Sequence, residues 1–354
     1  MATGRNRAAA RVAGAAALAA LAMLGTVAAA SGQDVTLRLH QFLPPQSTVP
    51  AQLLEPWAEK IEAESDGRIA IEIYSAMALG GRPTELVSQV RDGVVDLVYT
   101  LPGYTPGLFP RVEVFELPFT GTSAEATSRA FWEVFETEMK DTDFRDYHMI
   151  ATWVHGPGVI HAKGEGVRSL DNMARLKLRA PTRVTNKLLG ELGATAIGMP
   201  VPAIPESLSK GVIDGAVVPW EVTPSLRVAE LTETHTEFGG ETMFYTAAFI
   251  LAMNKRSYER LPDDLKAVID ANSGGELSGA WGAVMEQFDA PARKIATDRG
   301  NTIVRIEGEE LARWQAAAAP VIDAWIAEMD ERGIDGAALL EKARSAIEKY
   351  SATN

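Results

Sequence analysis

The sequence predicts an α/β fold in two lobes, between which the chain crosses several times. Three observations predict it. Strand and helix patterns alternate from residue 35 to residue 99. One helix–Gly–strand unit occurs twice, at residues 86–98 and 206–218. No low-complexity linker separates the two copies, so the lobes are joined by ordered crossings, which implies a hinge and a cleft between them.

The first segment is a leader. Arg5, Arg7 and Arg11 precede an apolar run from Val12 to Val27 that closes on Ala28-Ala29-Ala30. A basic head, an apolar middle and a small-residue exit describe a secretory signal peptide, cut near Ala30. A membrane anchor is the weaker reading, because a spanning helix needs about 20 strongly apolar residues and this run is short and Ala-rich. No cysteine is present to carry a lipid, to form a disulfide or to make a thiolate metal site. The chain is therefore expected to be exported to the periplasm and to rely on a large core, for which its 46% apolar content suffices. Removing residues 1–30 moves the net charge from −13 to −16, a surface that repels nucleic acid and anionic lipid.

In the mature chain, Val35 to His40 alternate as a first strand. Leu53, Leu54, Trp57 and Ile61 fall at helical spacing, and Gly67 stops that helix. Ile69 to Tyr74 is a second strand, Pro83 to Arg91 a short helix, and Val94 to Tyr99 a third strand. Strands alternating with helices at this spacing indicate a parallel sheet. A helix follows within Ser123 to Lys140. A second unit opens near Met149, with strands at Met149 to Val154 and Val159 to Ala162 around Gly156-Pro157-Gly158. Leu176 to Arg179 is a strand, Val184 to Leu192 and Ile204 to Ser209 are helices, and Ile213 to Val218 is a strand. The apolar stretch Phe244 to Met253 crosses back between lobes. Pro262 to Ser351 is helical apart from a strand at Thr302 to Ile306. The expected division puts residues 31–155 and 245–285 in the first lobe and 156–244 and 286–354 in the second.

In both copies of the repeated unit a helix ends at Gly and is followed by two β-branched residues, an Asp and an apolar strand. Gly permits the left-handed conformation that closes a helix, and the Asp is expected to bond its own backbone at the turn.

No enzyme signature is present. The five His match no zinc motif, even if His155 and His161 could share one face of the cleft, and neither a nucleophile elbow nor a phosphate loop occurs. Neither metal nor cofactor is expected. Arg179 stands out instead. It lies at the carboxyl end of a strand, just before a helix N-terminus, where ligands gather in open α/β sheets. Its guanidinium suits bidentate capture of a carboxylate, with a surface ion pair as the plain alternative.

The ordered series Pro56-Trp-Ala-Glu-Lys-Ile-Glu62, Asp92-Gly-Val-Val-Asp-Leu97, Glu116-Leu-Pro-Phe119, Leu176-Lys-Leu-Arg-Ala-Pro181, Gly193-Ala194, Met199-Pro200, Gly211-Val-Ile-Asp-Gly215 and Leu261-Pro-Asp-Asp-Leu265 resembles a known family. It is that of the substrate-binding receptors of tripartite ATP-independent periplasmic (TRAP) transporters, the dicarboxylate-receptor (DctP) type, and the resemblance spans residues 35–350. It implies a clam-shell periplasmic-binding-protein fold without catalytic activity, a carboxylate-binding Arg at Arg179, and docking on a small and a large integral-membrane permease subunit. A second Arg common in relatives would fall near Gly158 or Val159, where this chain has no cation. Trp220 follows the second repeat as a flat wall for a ring, or else packs between the lobes. Trp153, His155, Phe42, Tyr104, Tyr99, Thr182 and Val218 complete the candidate lining. One cation with aromatic and aliphatic walls favours an aromatic or weakly polar monocarboxylate, bound by a monomer. A small dicarboxylate, sugar acid or 2-oxo acid, or a sensory binding module, is the alternative.

Overall fold

The computed structural model describes residues 34–352; the leader lies outside them. The described residues form two sheets. The first runs, in order, β2 (Ile69–Tyr74), β1 (Val35–His40), β3 (Leu97–Thr100), β10 (Ala248–Asn254) and β4 (Tyr147–Val154), and the second β11 (Thr302–Ile306), β9 (Thr234–Phe238), β5 (Val159–Ala162), β8 (Gly215–Val218), β6 (Lys177–Ala180) and β7 (Thr195–Gly198).

In the first sheet β1 (Val35–His40) pairs in parallel with β2 (Ile69–Tyr74) and with β3 (Leu97–Thr100). The helical stretches Val49–Leu54 and Glu55–Glu64 link β1 to β2, burying Leu53, Leu54, Trp57 and Ile61. Leu86–Asp92 links β2 to β3. β4 (Tyr147–Val154) is the outer strand, so Met149 to Val154 belongs with the first sheet.

The second sheet begins at β5 (Val159–Ala162) and adds β6 (Lys177–Ala180), β7 (Thr195–Gly198) and β8 (Gly215–Val218). β9 (Thr234–Phe238) pairs with β5 and in parallel with β11 (Thr302–Ile306). The chain then returns as β10 (Ala248–Asn254), antiparallel to β3 and β4 and buried along its whole length. Burial on both faces removes the alternation that marks a half-exposed strand. The crossing itself is the segment between β9 and β10.

Both repeats start later as strands than their apolar runs suggest, and the Asp explains why. Asp96 Oδ2 accepts from Arg38 N of β1 at 3.0 Å, and Asp214 Oδ2 accepts from Lys177 N of β6 at 2.9 Å. Each Asp clamps the neighbouring strand, where its own turn was expected. The preceding Gly93 and Gly211 have φ of 78° and 69°, closing their helices as the pattern predicts.

The C-terminal region departs from expectation in one place. Residues 286–354 were assigned to the second lobe, yet helix Gly336–Ser351 packs on helix Ala124–Val134, which covers β4. Lys349 Nζ and Tyr350 OH both donate to Glu133 Oε2, at 2.6 and 2.8 Å. Its stripe of Leu339, Leu340, Ala343, Ala346 and Ile347 is buried, mainly on that first-lobe helix, with further contact to helix Gly308–Glu331. No helix among the described residues is long and apolar enough to cross a membrane.

Candidate functional site

A cavity lies between the lobes, at the carboxyl ends of the central strands. Phe42 follows β1, Leu101 and Tyr104 follow β3, and His155 follows β4. From the second lobe come Arg179 of β6, Val218 of β8, and Glu221 just beyond it. Tyr245 and Ala247 come from the crossing into β10, and Phe249 from its start.

Arg179 is 2% exposed. Its Nε donates to the carbonyl of Met199 at 2.9 Å and its Nη1 to that of Val217 at 3.0 Å. These two bonds fix the plane of the guanidinium and leave three of its five N–H donors uncommitted to the backbone. Among the described residues no carboxylate lies within ion-pairing distance of it. A guanidinium cannot shed its charge in a protein, so burial without a counter-ion costs several kcal/mol. Burial pulls its pKa down, against the pull of the Tyr104 and Tyr245 hydroxyls. The arrangement is one that an anion would complete.

Those two tyrosines flank the cation. Tyr104 OH accepts from Val201 N at 2.9 Å, a bond that ties a first-lobe loop to the second lobe. Tyr245 OH is buried with no hydrogen-bond partner. Its ring position depends on Gly158, since a Cβ at residue 158 would lie 2.0 Å from Tyr245 Cε1. The place where a second cation was sought is therefore filled by a phenol from the other crossing. Gly158 N also donates to the Tyr245 carbonyl at 3.0 Å, so the two crossings are bonded directly to each other.

His155 lines the cavity with its ring and not its nitrogens. Nδ1 lies 2.5 Å from the Gly156 carbonyl, while Nε2 accepts from Ala247 N at 3.0 Å. Both nitrogens are committed, and burial lowers its pKa to about 4, so the ring is neutral. The remaining wall is aromatic: Phe42 stacks on Tyr99 at 5.0 Å and meets Tyr104 edge-on at 5.6 Å.

Six of the nine expected residues thus line one cavity: Phe42, Tyr99, Tyr104, His155, Arg179 and Val218. Three do not. Trp153 sits behind the wall, stacked on Tyr99 and Phe249, its Nε1 directed at Met285 Sδ at 3.0 Å. Thr182 caps helix Arg183–Glu191, which leaves its hydroxyl to Thr185 N, and a Cβ on Gly103 would touch it. Trp220 packs in a separate cluster with Val159, Ala229, Ala292 and Ala296. Its ring meets His161 and His235, and its Nε1 donates to Glu237 at 2.9 Å. The chain leaves β8 with Trp220 turned away from the cavity and Glu221 toward it. His161 likewise pairs with His235, at 2.7 Å between Nδ1 atoms, and not with His155. Sequence reasoning missed Tyr245 and Glu221. The orphan Tyr in an apolar crossing and the acid next to Trp220 were the available signals.

Comparison with known proteins adds to this geometry. The family described as bacterial extracellular solute-binding protein, family 7 (DctP), matches residues 40–328. A TRAP solute-binding protein from Rhodoferax ferrireducens T118, crystallised with copurified benzoate, is 50% identical. Its TM-score is 0.88 and the match covers 90% of this chain and 99% of that one. A marine-metagenome TRAP solute-binding protein specific for aromatic acids, in complex with 3-hydroxybenzoate, is 48% identical with a TM-score of 0.88. It is covered to 99%, against 90% of this chain. A TRAP periplasmic solute-binding protein from Bordetella bronchiseptica with bound (R)- and (S)-mandelate is 28% identical, with a TM-score of 0.82 over 89% of this chain and 99% of that one.

Proposed function

This chain belongs to family 7 of the bacterial extracellular solute-binding proteins, and on that premise we propose that it captures an aromatic monocarboxylate between its lobes and delivers it to the small and large permease subunits of a TRAP transporter. One observation carries the reading: a buried Arg179 that lacks a protein carboxylate and faces a cavity otherwise walled by aromatic and aliphatic side chains. The ligand carboxylate takes the free guanidinium donors and the Tyr245 hydroxyl, with Tyr104 beside them. Charge-assisted bonds of this kind contribute about 1.5–3 kcal/mol each. Its ring lies against Phe42, Tyr99 and Phe249. Similarity to receptors holding benzoate, 3-hydroxybenzoate and mandelate supports the aromatic class. The role is binding without turnover, in the periplasm, after removal of residues 1–30.

A thermal-shift screen of the mature protein tests this. Benzoate-like acids at about 100 times their dissociation constant should stabilise by about 2.7 kcal/mol. Stabilisation by succinate with none by any aromatic acid would overturn the proposal.

A further inference from the structure

Glu221 has no role in the reading above. It lines the cavity, is 5% exposed, and its Oε2 has no hydrogen-bond partner. Its backbone is held from both sides: its N donates to Asp289 Oδ1 at 2.9 Å, and its carbonyl accepts from Thr48 Oγ1 at 3.2 Å. No Lys, Arg or His is within ion-pairing distance of it among the described residues. A carboxyl packed this firmly, with Thr48 its one side-chain partner and Oε2 left with none, is a strained choice for a wall that Val or Leu would fill.

Its neighbours define where it acts. Arg179 stands on β6 and hydrogen-bonds the Val217 carbonyl of β8, while Glu221 lies beyond the end of β8, and both line the one cavity together with Tyr245. Asp289, on helix Asp289–Asp298, and Thr48 face Glu221 from outside the cavity.

We infer that Glu221 hydrogen-bonds a polar substituent on the ring of an acid whose carboxylate is held at Arg179, which makes hydroxylated aromatic monocarboxylates the preferred class. The inference rests on the carboxylate reading of Arg179. Burial pushes the Glu221 carboxyl up to about 8, so near neutral pH it is mainly the uncharged acid, able both to donate and to accept. A second ligand carboxylate there would be buried with no cation to balance its charge, which disfavours aromatic dicarboxylates.

The test is calorimetric titration of the wild type, Glu221→Gln and Glu221→Leu with benzoate, 3-hydroxybenzoate, 4-hydroxybenzoate and isophthalate. The wild type should bind one hydroxybenzoate about tenfold more tightly than benzoate, and isophthalate more weakly than either. Glu221→Leu should erase that ratio, whatever it does to the separate affinities, and the near-isosteric Glu221→Gln should keep part of it. A wild type that binds benzoate but shows no hydroxyl preference overturns the role of Glu221 and leaves the carboxylate reading intact. A preference that survives in Glu221→Leu overturns it too. Failure of the wild type to bind any of these acids overturns the carboxylate reading itself.

Discussion

Residues 86–104 of the first lobe and 206–221 of the second start alike and finish differently. In each a helix closes on a left-handed Gly, an exposed Val (56% for Val94, 48% for Val212) is followed by a buried Val95 or Ile213, and an Asp clamps the neighbouring strand. Beyond the strands the likeness ends. The first lobe continues into Leu101 and Tyr104, an aromatic and aliphatic wall. The second presents Glu221 after β8 and Arg179 on the adjacent strand. The strand starts carry the backbone's requirements, so the same solution serves twice. The strand ends are free of that duty, and charge is concentrated on one side of the cleft while the other supplies surface for a ring.

The largest effect should come from breaking this asymmetry at Arg179. Arg179→Met is expected to weaken aromatic-acid binding at least about 100-fold, since two charge-assisted bonds of about 1.5–3 kcal/mol are lost. Calorimetry reads it, and a loss below about fivefold would remove Arg179 from the site.

The matched starts should behave the other way. Asp96→Ala should lower stability by about 2 kcal/mol and Asp214→Ala by about 1 kcal/mol, with ligand affinity retained. Asp96 is the costlier because Ser257 Oγ also donates to it, at 2.7 Å. Denaturant unfolding of both variants checks the order, and equal losses would mean that the extra bond contributes nothing.

A smaller effect is expected with pH. Burial pushes Glu116, Glu221 and Asp289 up to about 8 from 4.5, 4.5 and 3.8. Between those values the folded chain keeps protons that the unfolded chain releases. Their contribution is thus full below about pH 4 and is lost as pH rises toward 8. Below about pH 6.5 the buried His155 and His235, lowered to about 4, act the other way, so unfolding midpoints should fall from about pH 6.5 to 8, and Glu116→Gln should flatten that slope; an unchanged slope would contradict the burial argument.

Least affected of all should be binding in Trp220→Phe. Loss of the bond to Glu237 should cost about 1 kcal/mol of stability, while ligand affinity stays within about twofold of wild type. A larger change would return Trp220 to the cavity wall.

How far the sequence alone reached depended on whether a property was periodic. β1, β2, β5 and β11 carry their patterns in neighbouring residues, and the predicted bounds match the observed ones. The Gly-closed helices and the repeated unit were legible for the same reason, as was Arg179, whose place at a strand end follows from strand and proline alone. Other features carried no such signal. β10 is buried on both faces and shows no alternation, and β7 and β9 are short strands with polar or glycine-containing sequences. The amphipathic stripe of Gly336–Ser351 does not name the surface that receives it.

At the site the division is sharper still. Residue type pointed to a cation suited to carboxylates and to a set of rings, because a guanidinium and an aromatic ring have the same chemistry wherever they lie. Only the tertiary structure decided that Glu221 faces the cavity while Trp220 turns away, and that Tyr245 fills the space left open by Gly158. Side chains in aperiodic segments take their direction from contacts made by distant parts of the chain. Those contacts form only once the chain has folded.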